Sequence, residues 1–436
     1  MSSARMVDIS KKWGFHGIEA LKNSSLMYKM IVGMFALLAL AGAAVGLHGM
    51  MVGYHHVYGV TREIAWGLLI STYIFCVVTS TGLCIVSSIG HVFGGEAFMP
   101  IAKRAVFMSI VFMFGGFCII FFDIENPFRM AIWNVFSPNF VSNMWWMGTL
   151  YGMYLVFMMI EYYFLLDQKH NMSRLMGFCG LIVGIAAHSN LGAVFGMLHG
   201  RPFWYGPYLP IYFIFSAAMS GGCAILFFTT IAWKINPEIM NLRMERAMKS
   251  VTQITIFLIS VIIFFTIWKI ITGMVSEGKH LVIMSFLTGD YAINFWFFEI
   301  FLGMILPLYL LIRSKGKNFN LILGATGLMM IGIFFMRYDI VIPGQIESVY
   351  HTLGVVESAD ILTYTPSFHE IMASLFGIGF IGLAYFVGEK MLNGHQLEKH
   401  EIVPEGGYIC PGCGGIHFME EGETQEEAMK RQHGSW

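Results

Sequence analysis

Long runs of apolar residues alternate with short polar segments along almost the whole chain. Each run holds roughly 20 residues or more, the length that a helix needs to cross a hydrocarbon core of about 30 Å. None of the runs shows the alternation of a barrel strand, and a helix satisfies its own backbone polar groups in lipid. The pattern predicts about ten transmembrane helices, at 28–54, 63–90, 102–122, 143–166, 172–199, 206–233, 248–275, 286–312, 319–341 and 368–390.

These runs predict three parts of the chain. A polar and basic segment, 1–27, precedes a ten-helix transmembrane domain, 28–390, and a tail, 391–436, follows it. The first apolar run is too long for the hydrophobic region of a cleavable signal peptide. Of the 436 residues 56% are hydrophobic and 12% are charged, whereas soluble domains hold about 25% charged residues. The composition therefore excludes a soluble globular protein and predicts an all-α integral membrane protein.

Lys and Arg are distributed unequally between the two predicted membrane faces. With the N-terminus in the cytoplasm, twenty of the 26 lie on the cytoplasmic side, in short connections such as 167–174 and 313–318. Because basic loops stay in the cytoplasm, we expect both termini there. The outer connections at 123–142 and 337–368 are longer and rich in aromatic residues, Pro and Asn. Long ordered loops on one face usually carry function.

Local patterns recur at the outer ends of the predicted helices. They read Asp…Pro-x-Arg…Ser-Pro…Ser-x-Met-Trp at 123–145, Arg-Pro-x-Trp at 201–204 and Tyr-x-Pro-Ser-x-x-Glu at 364–370. Taken in this order over roughly residues 60–390, these segments resemble the NrfD family, the membrane subunits of polysulfide-reductase-type complexes. With ten predicted helices rather than eight, the chain resembles the subgroup that includes the hydrogenase-2 membrane subunit and the DsrP and QrcD proteins.

The resemblance implies a subunit of a respiratory oxidoreductase complex in the cytoplasmic (inner) membrane of a prokaryote. Such a subunit exchanges electrons between a menaquinone or other quinone and a ferredoxin-like iron–sulfur subunit docked on the outer face, as in anaerobic respiration. Further redox subunits would carry the catalytic cofactor, so the chain would be inactive alone. It would hold no haem or iron–sulfur cluster, contact lipid and bind no nucleic acid. Whether protons move with the electrons is left open.

A quinone headgroup needs an apolar and aromatic slot with a group that exchanges protons. An ionisable side chain within a span costs about 2.5–3.5 kcal/mol on insertion scales, so each is a functional candidate. His188 is the first choice, since imidazole titrates near neutral pH and the family often has a His in this helix, although it could merely hydrogen-bond across helices. The expected quinone site in the outer half of the bundle comprises His188, His199, Asp123, Glu63, Trp66, Arg201, Trp204 and His369.

Three acidic residues are candidates for a proton path, namely Glu161, Glu299 and Glu370. Each has a structural alternative. Glu161 could form a structural pair, and Glu299 could form an interhelical salt bridge with Arg337. Glu370 lies near the start of a helix, where a carboxylate is stabilised by the helix dipole.

The tail contains Cys410-Pro411-Gly412-Cys413, followed by His417. Two thiolates in a Cys-x-x-Cys pattern with a Gly-rich turn are typical of the first half of a zinc ribbon, and His417 could be a third ligand. A fourth ligand would have to come from His433, an acidic residue or another subunit. The alternative is a reduced cytoplasmic dithiol without metal. The other five Cys lie singly in apolar runs, where a buried thiol is inert.

Two other functions compete with the quinone hypothesis. A transporter or proton channel subunit without quinone chemistry would be supported by broken helices in inverted repeats, and no such repeat is visible in the hydropathy pattern. A di-haem cytochrome b needs facing His pairs within the spans, for which His48 and His188 are a thin basis.

Overall fold

The computed structural model of the chain describes residues 24–167, 169–352, 361–392, 407–409 and 416–418. Its helices, in chain order, are α1 (Leu26–Val52), α2 (Tyr54–Val57), α3 (Leu68–His91), α4 (Met99–Asp123), α5 (Pro127–Phe136), α6 (Asn143–Leu166), α7 (His170–Gly196), α8 (Tyr208–Ile235), α9 (Leu242–Val275), α10 (Glu277–Leu287), α11 (Leu306–Ser314), α12 (Phe319–Val341), α13 (Val349–Thr352) and α14 (Phe368–Leu392). A π-helix, Asn294–Ile305, continues into α11, and 3₁₀ turns occupy Glu96–Phe98, Pro237–Ile239 and Pro343–Gln345.

Ten helical spans in the described part of the chain are long and apolar enough to cross a membrane. The predicted count and the all-α membrane fold are therefore confirmed, and most bounds agree within a few residues. The predicted eighth span is wrong at its start. Residues 277–287 form the separate helix α10, which ends at Thr288-Gly289-Asp290, and the span begins only at Asn294. The ninth span, predicted at 319–341, is confirmed as Phe319–Val341. Arg337 therefore lies inside this helix, and the expected start of the outer connection at 337 is wrong.

Successive spans run in opposite directions and define two faces. We call the side with connections 53–67, 124–142, 197–207, 276–293 and 342–367 the loop face. The other side, with connections 92–98, 167–169, 236–241 and 315–318, is the terminal face, where α1 begins and α14 ends. An even number of spans places both ends of the bundle on the same side. Which face meets the cytoplasm stays a prediction.

Near the terminal face a buried ion pair joins three helices. Arg104 of α4 is 1% exposed, and its Nη2 lies 2.6 Å from Oε1 of Glu389 in α14. Its Nε also donates to Glu389 Oε2 at 3.1 Å, and its Nη1 donates to Thr229 Oγ1 of α8 at 3.3 Å. Bidentate pairing of this kind fixes direction as well as distance. The contact therefore sets the relative depth of α4, α8 and α14.

Helix α3 lies at the centre of the bundle, with nearly all of its side chains buried. It crosses α8 where Gly82 meets Gly221. A Cβ on Gly82 would lie 1.9 Å from the carbonyl oxygen of Ala217, and one on Gly221 would lie 2.0 Å from the carbonyl carbon of Gly82. Small residues allow membrane helices to approach until their backbones touch. These two glycines therefore permit the close crossing of α3 and α8.

Helix α1 packs mainly against α14, its partner at the other end of the chain. The rings of Phe35 and Phe386 are stacked with centroids 5.6 Å apart, and the Tyr28 hydroxyl donates to the carbonyl oxygen of Phe386. Most other side chains of α1 face outward, including Leu37 and Leu40 at 70% exposed. The α1–α14 pair thus lies at the edge of the bundle.

In the tail, strands β1 (Gly407–Ile409) and β2 (Ile416–Phe418) form an antiparallel pair in which Tyr408 is opposite His417. Cys410 and Cys413 lie outside the described residues. The zinc site predicted from them and His417 therefore stays a prediction. Among the residues that the structure describes, no three His, Cys, Asp or Glu side chains gather into a metal site.

Candidate functional site

Arg201 ties together three segments of the loop face. Its Nη1 donates to the carbonyl oxygens of Gln345 at 2.9 Å and Glu347 at 2.6 Å, and its Nη2 donates to the carbonyl oxygen of Glu63. Partial burial lowers the pKa of the Arg201 guanidinium, while Glu63 and Glu347 act in the opposite direction. A planar guanidinium can satisfy several carbonyls at fixed angles. Arg201 therefore acts as a structural clamp, because its hydrogen bonds hold these three segments of the loop face together.

Three aromatic rings pack beneath this clamp. Trp66 and Trp204 are stacked with centroids 5.2 Å apart, and Phe195 meets both rings edge-on. The Trp204 indole N–H donates to Ile340 O at 2.7 Å, and the side chain of Gln345 bonds both backbone groups of Trp66. The predicted site residues Glu63, Trp66, Arg201 and Trp204 thus lie together. Arg201 Nη1 and Nη2, the Trp204 indole N–H and the backbone of Trp66 bond to the protein itself.

A cavity of about 210 Å³ opens beside Trp204, between α8, α9 and α10. Most of its wall is aromatic or aliphatic, and its polar groups include tyrosine hydroxyls and two lysines. We call it the loop-face cavity, and its wall consists of Phe203, Trp204, Tyr205, Tyr208, Leu209, Tyr212, Trp268, Lys269, Thr272, Lys279, Ile283 and Ile340. The Tyr212 hydroxyl is buried and has no partner among the described residues. An apolar slot with a few convergent polar groups is typical of a ligand site.

A buried acidic pair lies behind Lys269, one of the wall residues. Lys269 Nζ is 3.7 Å from Glu299 Oε1, and the Glu299 side chain is fully buried. The carboxyl group of Asp339 interacts with that of Glu299. Within the described structure none of the four carboxyl oxygens accepts a hydrogen bond from another group. Buried carboxyl groups without hydrogen-bond donors are costly, so Glu299, Asp339 and Lys269 form a group of charged residues that is a functional candidate inside the bundle.

The π-helix allows the two acidic residues to meet. A Cβ on Gly332 of α12 would lie 2.0 Å from the Cα of Gly303, so the two helix backbones touch one turn away from Glu299. π-helical segments frequently occur at functional sites. The wider turn and the glycine contact together position Glu299 against α12.

Arg337 lies on the same helix as Asp339 and is fully buried. Its Nη2 donates to Ser220 Oγ at 3.2 Å, and its guanidinium lies 5.6 Å above the ring of Phe213. The predicted Glu299–Arg337 salt bridge is wrong, because Lys269 takes that place. Cation–π contact and the serine hydroxyl compensate Arg337 only in part, since its Nε and Nη1 have no partner in the described residues.

His188 is buried on α7, as expected. Its Nδ1 lies 3.1 Å from the hydroxyl of Tyr151 on α6, and its Nε2 has no partner in the part of the chain that the structure describes. The cross-helix hydrogen bond that we allowed as an alternative therefore exists. It occupies one nitrogen only, so the other remains available for proton exchange.

The remaining predicted quinone residues do not join His188. His199 is exposed, and its ring lies against Tyr205 with centroids 4.3 Å apart. His369 faces His48 across the α1–α14 contact, with ring nitrogens 3.2 Å apart. Asp123 lies where α4 ends, next to that pair of helices. One pocket built from all eight predicted residues is therefore not what the structure contains.

The other two proton-path candidates differ from each other. Glu370 accepts hydrogen bonds from the backbone N–H of Gly59 at 2.8 Å, the N–H of Ser367 at 2.9 Å and the hydroxyl of Tyr364 at 2.6 Å. Together with the Ser367 hydroxyl it forms a capping box at the start of α14. This is the structural alternative that the sequence allowed.

Glu161 is 1% exposed near the terminal face. Its carboxylate packs against α7 at Gly177, where a Cβ would lie 2.7 Å from Oε1. Its Oε2 accepts no hydrogen bond from a described residue. Tyr154, about two helical turns away on α6, bonds Ser109 Oγ at 2.6 Å and Ser80 O at 3.1 Å. Polar groups thus continue from Glu161 into the centre of the bundle.

Lys269, Tyr212 and Asp339 were not among the residues predicted for the site. Lys269 was assigned to the outer side, although it lies within the predicted span 248–275. A lysine inside an apolar run is itself a signal, since it needs a buried acidic partner. Tyr212 could not be identified from the sequence, because it lies among aromatic residues and nothing in the pattern distinguishes a tyrosine that lines a cavity from one that faces lipid.

Comparison with known proteins identifies the family of the chain. The family model described as "Polysulphide reductase, NrfD" matches residues 56–348, more than half of the chain. The chain belongs to the NrfD family. The match covers the eight spans from α3 to α12, including every residue of the loop-face cavity, and leaves α1 and α14 outside.

Several curated relatives agree with this assignment. A selenate reductase subunit of Mesobacillus selenatarsenatis is 24% identical, over 78% of this chain and 89% of the relative. The "Hdr-like menaquinol oxidoreductase integral membrane subunit" of Archaeoglobus fulgidus is 22% identical, over 76% and 86%. "Protein NrfD" of Escherichia coli is 23% identical, over 65% and 96%. Its ten apolar spans and its family make the chain a multi-pass membrane protein.

Proposed function

We propose that the chain is the quinone-interacting membrane subunit of a respiratory oxidoreductase complex. It exchanges electrons between a menaquinone-type carrier in the bilayer and an iron–sulfur subunit on the loop face, while further subunits carry the catalytic cofactor. Its relatives include proteins named for a selenate reductase and for a menaquinol oxidoreductase. The observation that carries the proposal is the loop-face cavity, whose wall meets a buried set of titratable side chains.

The loop-face cavity suits the headgroup of such a carrier. Its aromatic wall can stack on a ring, and the hydroxyl of Tyr212 and the ammonium of Lys269 can donate to a carbonyl oxygen. The isoprenoid tail would follow the exposed apolar side chains of α8 and α9, Ile211 at 52% and Phe264 at 58% exposed. This position replaces the one first expected around His199, Asp123 and His369.

Quinone chemistry moves two protons with two electrons, so the cavity needs a route for protons. Lys269 connects it to the Glu299–Asp339 pair, and Tyr212 interacts with that pair and with Arg337. His188 with Tyr151, and beyond them Tyr154 and Glu161, continue the polar groups towards the terminal face. We propose that protons exchanged with the carrier travel along these groups. Glu370, fully engaged in its capping box, is not among them.

The partner would dock on the loop face. Its connections are long, and α5 presents Phe128, Trp133 and Phe136 outward there. Electron transfer favours a short gap, which a headgroup close to this face provides. With the basic terminal face in the cytoplasm, the loop face lies outside the cytoplasmic membrane.

The test removes one hydroxyl from the loop-face cavity. Tyr212→Phe breaks no hydrogen bond within the described structure, so the complex should assemble normally. We expect quinol-linked turnover of the purified complex to fall about tenfold, corresponding to one lost hydrogen bond of about 1.4 kcal/mol. Activity with an artificial electron donor to the partner should not change. The matched control Tyr385→Phe removes a hydroxyl near the terminal face and should leave quinol-linked turnover intact.

A proton channel without quinone chemistry is the second candidate, favoured by the buried Lys269–Glu299–Asp339 group. Proteoliposomes containing the chain distinguish the two. Proton flux that needs no quinone, together with normal quinol-linked turnover in Tyr212→Phe, would support the channel and contradict the quinone site.

A further inference from the structure

A second cavity, of about 400 Å³, lies at the terminal face between the end of α3 and the start of α7. We call it the terminal-face cavity. It is on the opposite side of the bundle from the loop-face cavity, and neither the quinone site nor the docking surface uses it. Its polar wall consists of His91, Glu96, His170, Asn171, Ser173 and Arg174.

Two buried polar atoms on this wall lack partners. Ser173 is 1% exposed and His91 is 9% exposed, so both side chains are more than nine-tenths buried. Neither Ser173 Oγ nor His91 Nε2 has a hydrogen-bond partner among the described residues. Buried polar groups in folded proteins are almost always hydrogen-bonded. Both atoms can donate, so their position in one cavity indicates that an acceptor binds there.

The start of α7 adds further donors. Lys169 at the N-cap position makes no side-chain capping bond to the first turn of the helix. The partial positive charge of a helix N-terminus favours an anion. Arg174 is held at the wall by a 3.2 Å bond from its Nε to the carbonyl oxygen of His91. A guanidinium beside a helix N-terminus is typical of phosphate recognition.

The charges at the rim favour one form of phosphate. Arg174 and Glu96 are both exposed there, so their formal charges cancel. Moving an anion out of water costs more the greater its charge. A phosphodiester carries one negative charge and free phosphate between one and two, so a rim without net charge favours the diester. Outward-facing Leu175, Phe178 and Ile182 then form an apolar stripe along α7 that starts beside the cavity. We propose that the terminal-face cavity binds the phosphate group of a membrane phospholipid, with the acyl chains lying along this stripe.

Native mass spectrometry of the purified complex tests this proposal. The wild-type complex should retain a phospholipid that the Ser173→Ala, Arg174→Gln double variant binds at least about tenfold more weakly. Ser173→Ala alone removes no hydrogen bond made within the described residues and should weaken binding without affecting the fold. Two matched controls, Ser260→Ala on the exposed side of α9 and Arg313→Gln at the terminal face, should retain the lipid as the wild type does.

A second arm separates the two sources of phosphate. Inorganic phosphate is titrated into the delipidated complex, and the midpoint of thermal unfolding, Tm, is compared with that in chloride at equal ionic strength. Competition between inorganic phosphate and the retained phospholipid supports the headgroup site. Unchanged lipid retention in the double variant, with a phosphate-dependent rise in Tm that the variant loses, overturns the lipid in favour of free phosphate. Unchanged retention with no effect of phosphate on Tm overturns the site altogether.

Discussion

Tyr151 and His188 face each other across α6 and α7, with the tyrosine hydroxyl 3.1 Å from Nδ1 of the imidazole. The second ring nitrogen of His188 is buried and has no partner among the described residues. An imidazole held by one nitrogen and free at the other can pass a proton without turning. This pair is the centre of the proposed proton route.

Replacing His188 with Leu keeps the span apolar and removes the proton-exchanging nitrogen. We expect the complex to assemble and quinone-linked turnover to fall by about 10–100-fold, or roughly 1.4–2.7 kcal/mol in the barrier. Turnover with an artificial electron carrier should be unaffected. His280→Leu, which removes an exposed imidazole on the loop face, is the control and should behave as the wild type. Normal quinone-linked turnover in His188→Leu would show that the route bypasses this residue.

Glu299→Gln should destabilise the complex as well as slow it. The side chain of Lys269 is 10% exposed, and Glu299→Gln leaves Asp339 as its remaining acidic neighbour. We therefore expect a loss of stability below the about 3–5 kcal/mol of an unpaired buried charge. The double variant Lys269→Met, Glu299→Gln should recover most of the lost stability, while quinone-linked turnover stays low. Thermal unfolding of Glu299→Gln, Lys269→Met and the double variant measures the coupling. Glu245→Gln, an exposed change at the terminal face, is the control. Additive effects of the two single changes would contradict the pairing.

Gly82→Ala should prevent the normal crossing of α3 and α8. The new methyl group would lie 1.9 Å from the carbonyl oxygen of Ala217, so the two helices must separate. We expect a lower yield of folded chain and a lower Tm. A Cβ on Gly152 of α6 meets nothing within 4 Å, so Gly152→Ala should be neutral or stabilising by up to about 1 kcal/mol. Equal stability of the two variants would mean that the crossing is looser than described.

Membrane topology is tested by labelling introduced cysteines in whole cells. Val141→Cys lies on the loop face at 95% exposed, and Lys317→Cys lies in an exposed position at the terminal face. A maleimide that cannot cross membranes should label the first and not the second, because the terminal face carries most of the positive charge. The unsubstituted chain reports any background from native cysteines. Labelling of Lys317→Cys alone would reverse the orientation.

The fold was largely predictable because a bilayer sets the length of each span and requires the backbone hydrogen bonds of a span to be satisfied within a helix. The errors occurred where that constraint is weak. Helix α10 is apolar but too short to span, so hydropathy merged its end with the π-helix that follows. Arg337 was expected at the start of the outer connection, whereas it is buried within α12, where it contacts the Ser220 hydroxyl and the ring of Phe213.

The candidate site was less predictable, since an ionisable residue within a span has no partner until helices are packed. His188 and Glu161 were correctly identified as buried. The capping box of Ser367 and Glu370 has a recognisable sequence signal, Ser-x-x-Glu, that favours the structural role. Nothing in the sequence pairs Lys269 with Glu299, because they lie on different helices and meet only through packing.

The partnership of α1 with α14 has a consequence for how the chain is made. Tyr28 and the carbonyl that its hydroxyl contacts are 358 residues apart. At about 5–20 residues per second, the ribosome needs roughly 20–70 s to supply that partner. Throughout this time α1 must remain in the bilayer with lipid as its neighbour on the side that α14 will cover. Its unbroken run of apolar residues between Met30 and Leu47 keeps it stable in contact with lipid during this time. Of the spans in the described residues, the last to leave the ribosome thus covers one side of the first.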